Sequence, residues 1–258
     1  MSDTTAEYTV DSHTICLFKF EDPSNPAHYE GTCTKTFQAN NVKIDTTNQK
    51  IGSGCVNMNN SYLYCPDFDE TIFNKDFTVD CWINTDCFGK KENLVHRFFC
   101  LGENSLKANK FLIIGYGQFR SWSTSSSPAL NIAITNGSGR VGPTSPEFDQ
   151  FSTPITSEVS NNKWFHLAMV RSSNKLNMFI NGKFQKSVDW AYTMADKTGP
   201  FYIGIRTIPD AGDVFVESME TDLMDNFRIS DFARFNREFD PIGDIAGTSG
   251  KSYISLYY

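Results

Sequence analysis

The sequence lacks what would send it into a membrane, through an export pathway or onto a nucleic acid. No apolar run approaches the roughly 20 residues of a membrane-spanning helix. The opening Met1-Ser2-Asp3-Thr4-Thr5-Ala6-Glu7 has neither the basic start nor the apolar core of a signal peptide. A protein made in the cytoplasm, neither exported by a signal peptide nor inserted in a membrane, is expected. Basic residues are in the minority, with 23 Lys and Arg against 30 Asp and Glu and a net charge of -7. A surface that holds phosphate backbones is therefore not expected, and nucleic acid is excluded as a partner. Cys-x-x-Cys pairs are absent, and the seven cysteines (Cys16, Cys33, Cys55, Cys65, Cys81, Cys87, Cys100) are an odd number. They read as reduced, mostly buried thiols. The sequons at Asn59 and Asn136 read as chance matches without an export signal.

Helical periodicity is also nearly missing, whereas aromatic residues are plentiful: 22 Phe, 10 Tyr and 4 Trp in 258 residues that are 40% hydrophobic. That composition excludes disorder, collagen and coiled coil, and it fills a sizeable core. Short alternating or wholly apolar runs are separated by Asn, Gly, Ser, Pro and Asp clusters, the pattern of an all-β chain. Strands are expected at Thr14–Phe20, Gly54–Met58, Tyr62–Tyr64, Phe77–Asn84, Val95–Cys100, Phe111–Tyr116, Leu130–Thr135, Trp164–Arg171, Lys175–Ile180, Lys183–Ser187, Phe201–Ile205 and Asp222–Ile229. A dozen strands imply two packed antiparallel sheets. In the run from Phe77, the residues Phe77, Val79, Cys81 and Ile83 share one face while Trp82 takes the other, so both faces of that strand should meet protein. Asn181-Gly182 predicts a type I′ hairpin. Asn136-Gly137 gives a weaker turn signal before a long Ser/Gly/Pro-rich loop, and its return strand is not placed.

The irregular stretches at 21–50, 121–127 and 241–258 are long enough to carry function or motion. One domain over 14–240 is expected, with an N-terminal arm at 1–13 and a C-terminal tail at 241–258. The tail ends in Tyr253-Ile254-Ser255-Leu256-Tyr257-Tyr258, which alternates like a strand. It suits pairing with a sheet edge, its own or a neighbour's, and so a homo-oligomer.

The run Asn162-Lys163-Trp164-Phe165-His166-Leu167-Ala168-Met169-Val170-Arg171, then Lys175 to Gly182, then Phe201-Tyr202-Ile203-Gly204, resembles the laminin G-like family of concanavalin A-like jelly rolls. The flanking pieces agree: Asp76-Phe77-Thr78-Val79-Asp80-Cys81-Trp82-Ile83, Met224-Asp225-Asn226-Phe227-Arg228-Ile229-Ser230, and the opening Thr14-Ile15-Cys16-Leu17-Phe18-Lys19-Phe20-Glu21-Asp22. The resemblance covers about residues 14 to 240 in order, and it implies an antiparallel β-sandwich. The polar start and single-domain layout look most like the versions found in bacteriophage virion and tail proteins. Family members bind glycans, proteins or calcium, or serve as rigid modules, so the fold leaves the function open.

Several chemistries were weighed on the residues. Glycosidases on such folds need two carboxylates about 5 to 9 Å apart. In Asp213-Val214-Phe215-Val216-Glu217 the terminal acids share a face but stand about 13 Å apart in ideal strand geometry. Glu217-Ser218-Met219-Glu220 has the wrong parity, and Glu147-Phe148-Asp149 has no third acid. No Gly-x-Ser-x-Gly elbow accompanies His13, His28, His96 or His166, and His166 reads as an interior histidine. Calcium would take hard oxygen ligands, and the resemblance nominates Asp22 and Asp225; the alternative for Asp225 is a turn-capping role. A glycan would stack on an exposed ring with polar neighbours. Trp122 beside Arg120 and Trp190 beside Asp189 answer that description, with Tyr192 and Tyr116 as secondary candidates; the alternative for each Trp is edge packing. The charged run Asp231 to Glu238 reads as a solvated loop or a short amphipathic turn.

The sequence thus predicts a non-enzymatic, virion-associated binding module that recognises a host-surface glycan through rim loops. The rival expectation is a structural virion protein, a capsid decoration or tail component, bound to other virion proteins through its termini. A glycan hydrolase is a minor third.

Overall fold

A computed structural model describes residues 7–59, 61–86, 96–101, 111–116, 129–135, 149–154, 159–189, 198–204 and 222–242. Its strands are β1 (Thr14–Phe18), β2 (Gln38–Asn40), β3 (Lys43–Asp45), β4 (Cys55–Asn57), β5 (Tyr62–Asp69), β6 (Phe77–Thr85), β7 (His96–Leu101), β8 (Phe111–Tyr116), β9 (Ala129–Thr135), β10 (Asp149–Pro154), β11 (Lys163–Ser172), β12 (Lys175–Ile180), β13 (Lys183–Asp189), β14 (Thr198–Gly204) and β15 (Leu223–Ser230). A 3-10 turn at Glu70–Asn74 precedes β6. The first sheet has the order β13-β12-β11-β6-β15-β4-β3, with β1 also paired to β15, and the second has β10-β9-β8-β7-β14-β5-β2. The pairings within both sheets are antiparallel. Two sheets, as alternation predicted, make a β-sandwich.

Each expected strand is present, β8 and β12 with the expected ends and the others with shifted ones, and β2, β3 and β10 are additional. Asn181 and Gly182 both have positive φ, 49° and 74°, as a type I′ turn requires. Six described cysteines form no disulfide, and all but Cys33 are buried; Cys87 lies outside the described residues. Among the described residues no helix is long and apolar enough to cross a membrane.

Inward-facing residues of both sheets form one core. Phe201 of β14 is its hub, with ring centroids 4.8 Å from Phe68, 6.1 Å from Phe99 and 6.3 Å from Phe227. Each such fully buried ring contributes about 2 to 3 kcal/mol relative to exposure.

The outer face of the first sheet carries a second, smaller core. Trp82 does take the face opposite Val79 and Cys81, and the chain covers it with Tyr8, from the segment expected as an arm, and with a strap over 231–242 that places Phe235, Phe239 and Ile242. Phe235 and Phe239 stack at 3.7 Å, and both present edges to the His166 ring. The strap agrees with the amphipathic-turn alternative for Asp231 to Glu238 rather than the solvated loop: Phe235 is buried against the sheet while Asp231, Arg237 and Glu238 face outward, exposed. Arg234 meets Asp11 through two bonds of 2.9 and 2.8 Å, joining strap to arm. At the hairpin, Phe239 N donates to Gly182 O, and a Cβ on Gly182 would lie 1.8 Å from Phe239 O. Gly182 thus serves both the turn and the strap.

Beneath this cover lies a buried charge cluster. Arg228 of β15 donates from Nε and one terminal nitrogen to the two Asp80 oxygens of β6, each at 3.0 Å. His166 Nε2 lies 3.3 Å from Asp80 Oδ2, and the Tyr8 ring sits 4.6 Å from the Arg228 guanidinium. Burial raises the Asp80 carboxyl, but Arg228 and His166 outweigh it and hold it at about 2. Because that lies below the unfolded 3.8, the stabilisation is present above about pH 4 and is lost as pH falls towards 2. Burial lowers His166, so the ring is neutral at pH 7.

Replacing Asp80 with Ala strands Arg228 in the interior, and the expected loss is about 3 to 5 kcal/mol in urea denaturation. Replacing the exposed Asp231, which pairs with His13 at 2.9 Å, should leave the midpoint nearly unchanged. Equal losses for the two variants would refute the central place of the buried pair.

Candidate functional site

The rim residues named from the sequence divide between described and undescribed parts of the chain. Trp122, Arg120, Trp190 and Tyr192 lie outside the described residues, as do the acids from Asp213 to Glu220 and Glu147. Asp189 is the last residue of β13, exposed and ion-paired to Lys175 at 2.6 Å. Tyr116 ends β8 opposite His96 and Leu130. Asp189 and Tyr116 therefore belong to different sheets.

The two carboxylates nominated for calcium have separate surroundings. Asp22 is exposed beyond β1, and its Oδ1 accepts from Ser24 N at 2.9 Å and Ser24 Oγ at 2.6 Å, which lower its pKa. It borders a cavity of about 260 Å³ together with Lys19, Glu21, Asn25, His28 and Glu30. Asp225 is buried. Its Oδ2 accepts from Lys50 N and Ile51 N, each at 2.9 Å, and its Oδ1 accepts from Asn226 Nδ2 at 2.7 Å. Hydrogens converge on both oxygens, where a cation would need open lone pairs. Among the described residues, no three His, Cys, Asp or Glu side chains are placed to hold a metal ion. The residues present do not fit a shared calcium site, and Asp225 anchors the turn at Lys50. His166 is an interior histidine held against Asp80.

A further surface, not singled out in the sequence, is built on the outer face of the second sheet. Tyr64 of β5 lies opposite Gln38 of β2 on one side and Tyr202 of β14 on the other, while Tyr62 lies opposite Asn40 and Gly204. Directly opposed residues share a face, so three tyrosines and two amides form one patch. The Tyr64 and Tyr202 rings stack at 4.8 Å, and Tyr62 meets Tyr202 edge-on at 6.1 Å. The rings are partly buried, whereas Gln38 and Asn40 are exposed. Burial, and then the neighbouring Tyr64, push the Tyr202 phenol up, so it stays protonated and can donate. The sequence signal was the parity of Tyr62 and Tyr64; Tyr202 joins them only through register.

The comparisons with known proteins agree with this architecture. The family pattern described as the concanavalin A-like lectin/glucanases superfamily, of laminin G type, matches residues 57–238. The chain belongs to that family. No curated protein matches it in sequence. Among solved structures, it is similar to domain 4 of AbnA, an extracellular GH43 arabinanase from Geobacillus stearothermophilus, in complex with arabinotriose. That likeness has a TM-score of 0.53 at 16% identity, over 86% of this chain and 93% of the other. It is also similar to the botulinum neurotoxin serotype D binding domain, with a TM-score of 0.54 at 11% identity over 86% and 49% of the two chains. The serotype G binding domain gives 0.53 at 13% identity over 90% and 50%. The chain thus spans about half of each toxin binding domain, and at these identities the likeness is one of fold.

Asp225 carries a pH prediction. Burial outweighs its hydrogen-bond donors and pushes it up to about 7, against 3.8 in the unfolded chain. Between about pH 4 and 7 the native state therefore holds a proton that the unfolded state has released, and this contribution to stability falls as pH rises. Asp225→Asn should flatten that part of the stability profile in urea titrations at several pH values. An unchanged slope would show that Asp225 is ionised throughout.

Proposed function

We propose that the chain is a non-enzymatic, virion-associated binding module that recognises a host-surface glycan through the loops at its sandwich rim. The observation that carries this reading is the family match over residues 57–238, the segment that contains Trp122 and Trp190. Rigid sheets with function on the connecting loops are the usual division of labour in such sandwiches. The arabinanase domain was solved with arabinotriose, which makes pentose oligosaccharides sensible members of a test panel. Catalysis is not part of the reading, since Asp80 and Asp225, buried acids of the first sheet, are engaged by Arg228, His166 and backbone amides.

The rival reading, a capsid decoration or tail-associated protein, places the assembly contact in the C-terminal tail. The arm is available to it only ahead of Tyr8, because Tyr8 and Asp11 are held by the domain itself. A homo-oligomer through the tail belongs to this reading.

The test is binding of the purified protein to a glycan array and to host envelopes, with calcium and with EDTA, beside Trp122→Ala and Trp190→Ala. Binding should fall by about tenfold or more in one Trp variant, the loss of a stacking anchor. Loss in EDTA would place an ion among residues other than the Asp22 and Asp225 pair. Absence of binding under every condition would overturn the lectin reading in favour of the structural one.

A further inference from the structure

We infer that the outer face of the second sheet, at Tyr62, Tyr64 and Tyr202 with Gln38 and Asn40 on its edge, is a binding site for a neutral saccharide chain. It uses none of the rim residues named from the sequence, and only the ligand class rests on the glycan-binding reading.

The first argument is the contrast between the two outer faces. On the first sheet the chain's own arm and strap cover the centre of the face, leaving Trp82 3% and Phe179 2% exposed, while Phe184 on the edge strand β13 stays 48% exposed. On the second sheet the three tyrosines stay partly exposed, and β2 at their edge is exposed along its whole length. Partly buried Tyr clusters with exposed amides at their edge are what binding surfaces use.

The second argument is chemical. Tyr presents an apolar ring with a hydroxyl at its tip, and Gln and Asn side chains both donate and accept. The five residues therefore offer ring surface for sugar C–H groups and a row of uncharged hydrogen-bonding groups for sugar hydroxyls. None of the five is charged. Farther along β5, Asp67 is neutralised by Lys35 at 2.8 Å, so the patch offers no unpaired cation of its own to a carboxylate or sulfate. The register supplies two parallel rows, Gln38–Tyr64–Tyr202 and Asn40–Tyr62, which suits a chain of sugars lying across the strands rather than a single ring in a pocket.

The test is isothermal titration with cellohexaose and maltohexaose as neutral probes and hexagalacturonate as the acidic counterpart. The proteins are the wild type, Tyr64→Ala, Tyr202→Ala, the exposed-edge pair Gln38→Ala with Asn40→Ala, and Trp122→Ala and Trp190→Ala. The expected result is binding of a neutral probe that weakens roughly tenfold on loss of either ring and severalfold in the edge pair. Both rim variants should bind as wild type does. The edge pair alters no buried group, so it reports on the site even where a Tyr variant fails to fold. Preference for the acidic probe, retention of neutral binding in the edge pair and both Tyr variants, or no binding of either neutral probe would overturn the inference. Neutral binding lost only in a Trp variant would refute this site and support the rim, whereas array binding without neutral hexasaccharide binding would leave the rim reading standing alone.

Discussion

The Asp80 carboxylate, buried without exposure on the outer face of the first sheet and gripped by Arg228, is the constraint on which the rest of the architecture depends. A charge cannot remain in such a place unless it is paired and its other partners are supplied. The sheet meets that demand by setting β15 and β11 on either side of β6, so that Arg228 and His166 reach Asp80 from neighbouring strands. The pair must also be kept from water, which requires cover over a sheet face that a simple sandwich would expose. Tyr8 on the guanidinium and the Phe235–Phe239 stack against His166 provide it. The Arg234–Asp11 bonds then tie the two covering segments together. One buried ion pair thus dictates why a chain built of two sheets carries a third layer.

That third layer gives the molecule two different outer faces. One is closed by its own sequence and serves stability; the other presents three tyrosines and two amides. Trp122 and Trp190 on the proposed function, and the sheet tyrosines on the further inference, are two proposed ways to meet a saccharide. They make different demands: rim binding needs loops posed by the strand ends, whereas face binding needs only register, which the antiparallel ladder of β2, β5 and β14 already fixes.

Sequence reading reached the strands because their signal is local. Alternation along Phe77 to Ile83 and the Asn181-Gly182 dipeptide each determine a conformation within a few residues. The short β2 and β3 carry only three residues apiece, too few for a period to show, and β10 ends in a proline that reads against a strand. The strap was missed for a different reason. Phe232, Phe235 and Phe239 recur at i, i+3 and i+7, the spacing of one helical face, yet the segment folds as an irregular strap, and its partners Trp82, His166 and Tyr8 are dozens to hundreds of residues away. The turn-capping alternative for Asp225 could be stated in advance, but the choice of Lys50 and Ile51 as donors came only with the fold. The tyrosine patch was half visible, since Tyr62 and Tyr64 share parity, and it became a patch only when β14 brought in Tyr202.

The central claim is that the molecule seals one sheet face and offers the other, and amide hydrogen exchange tests it most directly. In the free protein, residues 78–82, 166–170 and 227–230 should exchange only through global unfolding. In the presence of saturating neutral oligosaccharide, added protection should appear in β2, β5 and β14 and not in the strap at 231–242. Fast exchange beneath the strap in the free protein, or ligand-induced protection confined to the strap and its sheet, would contradict the account.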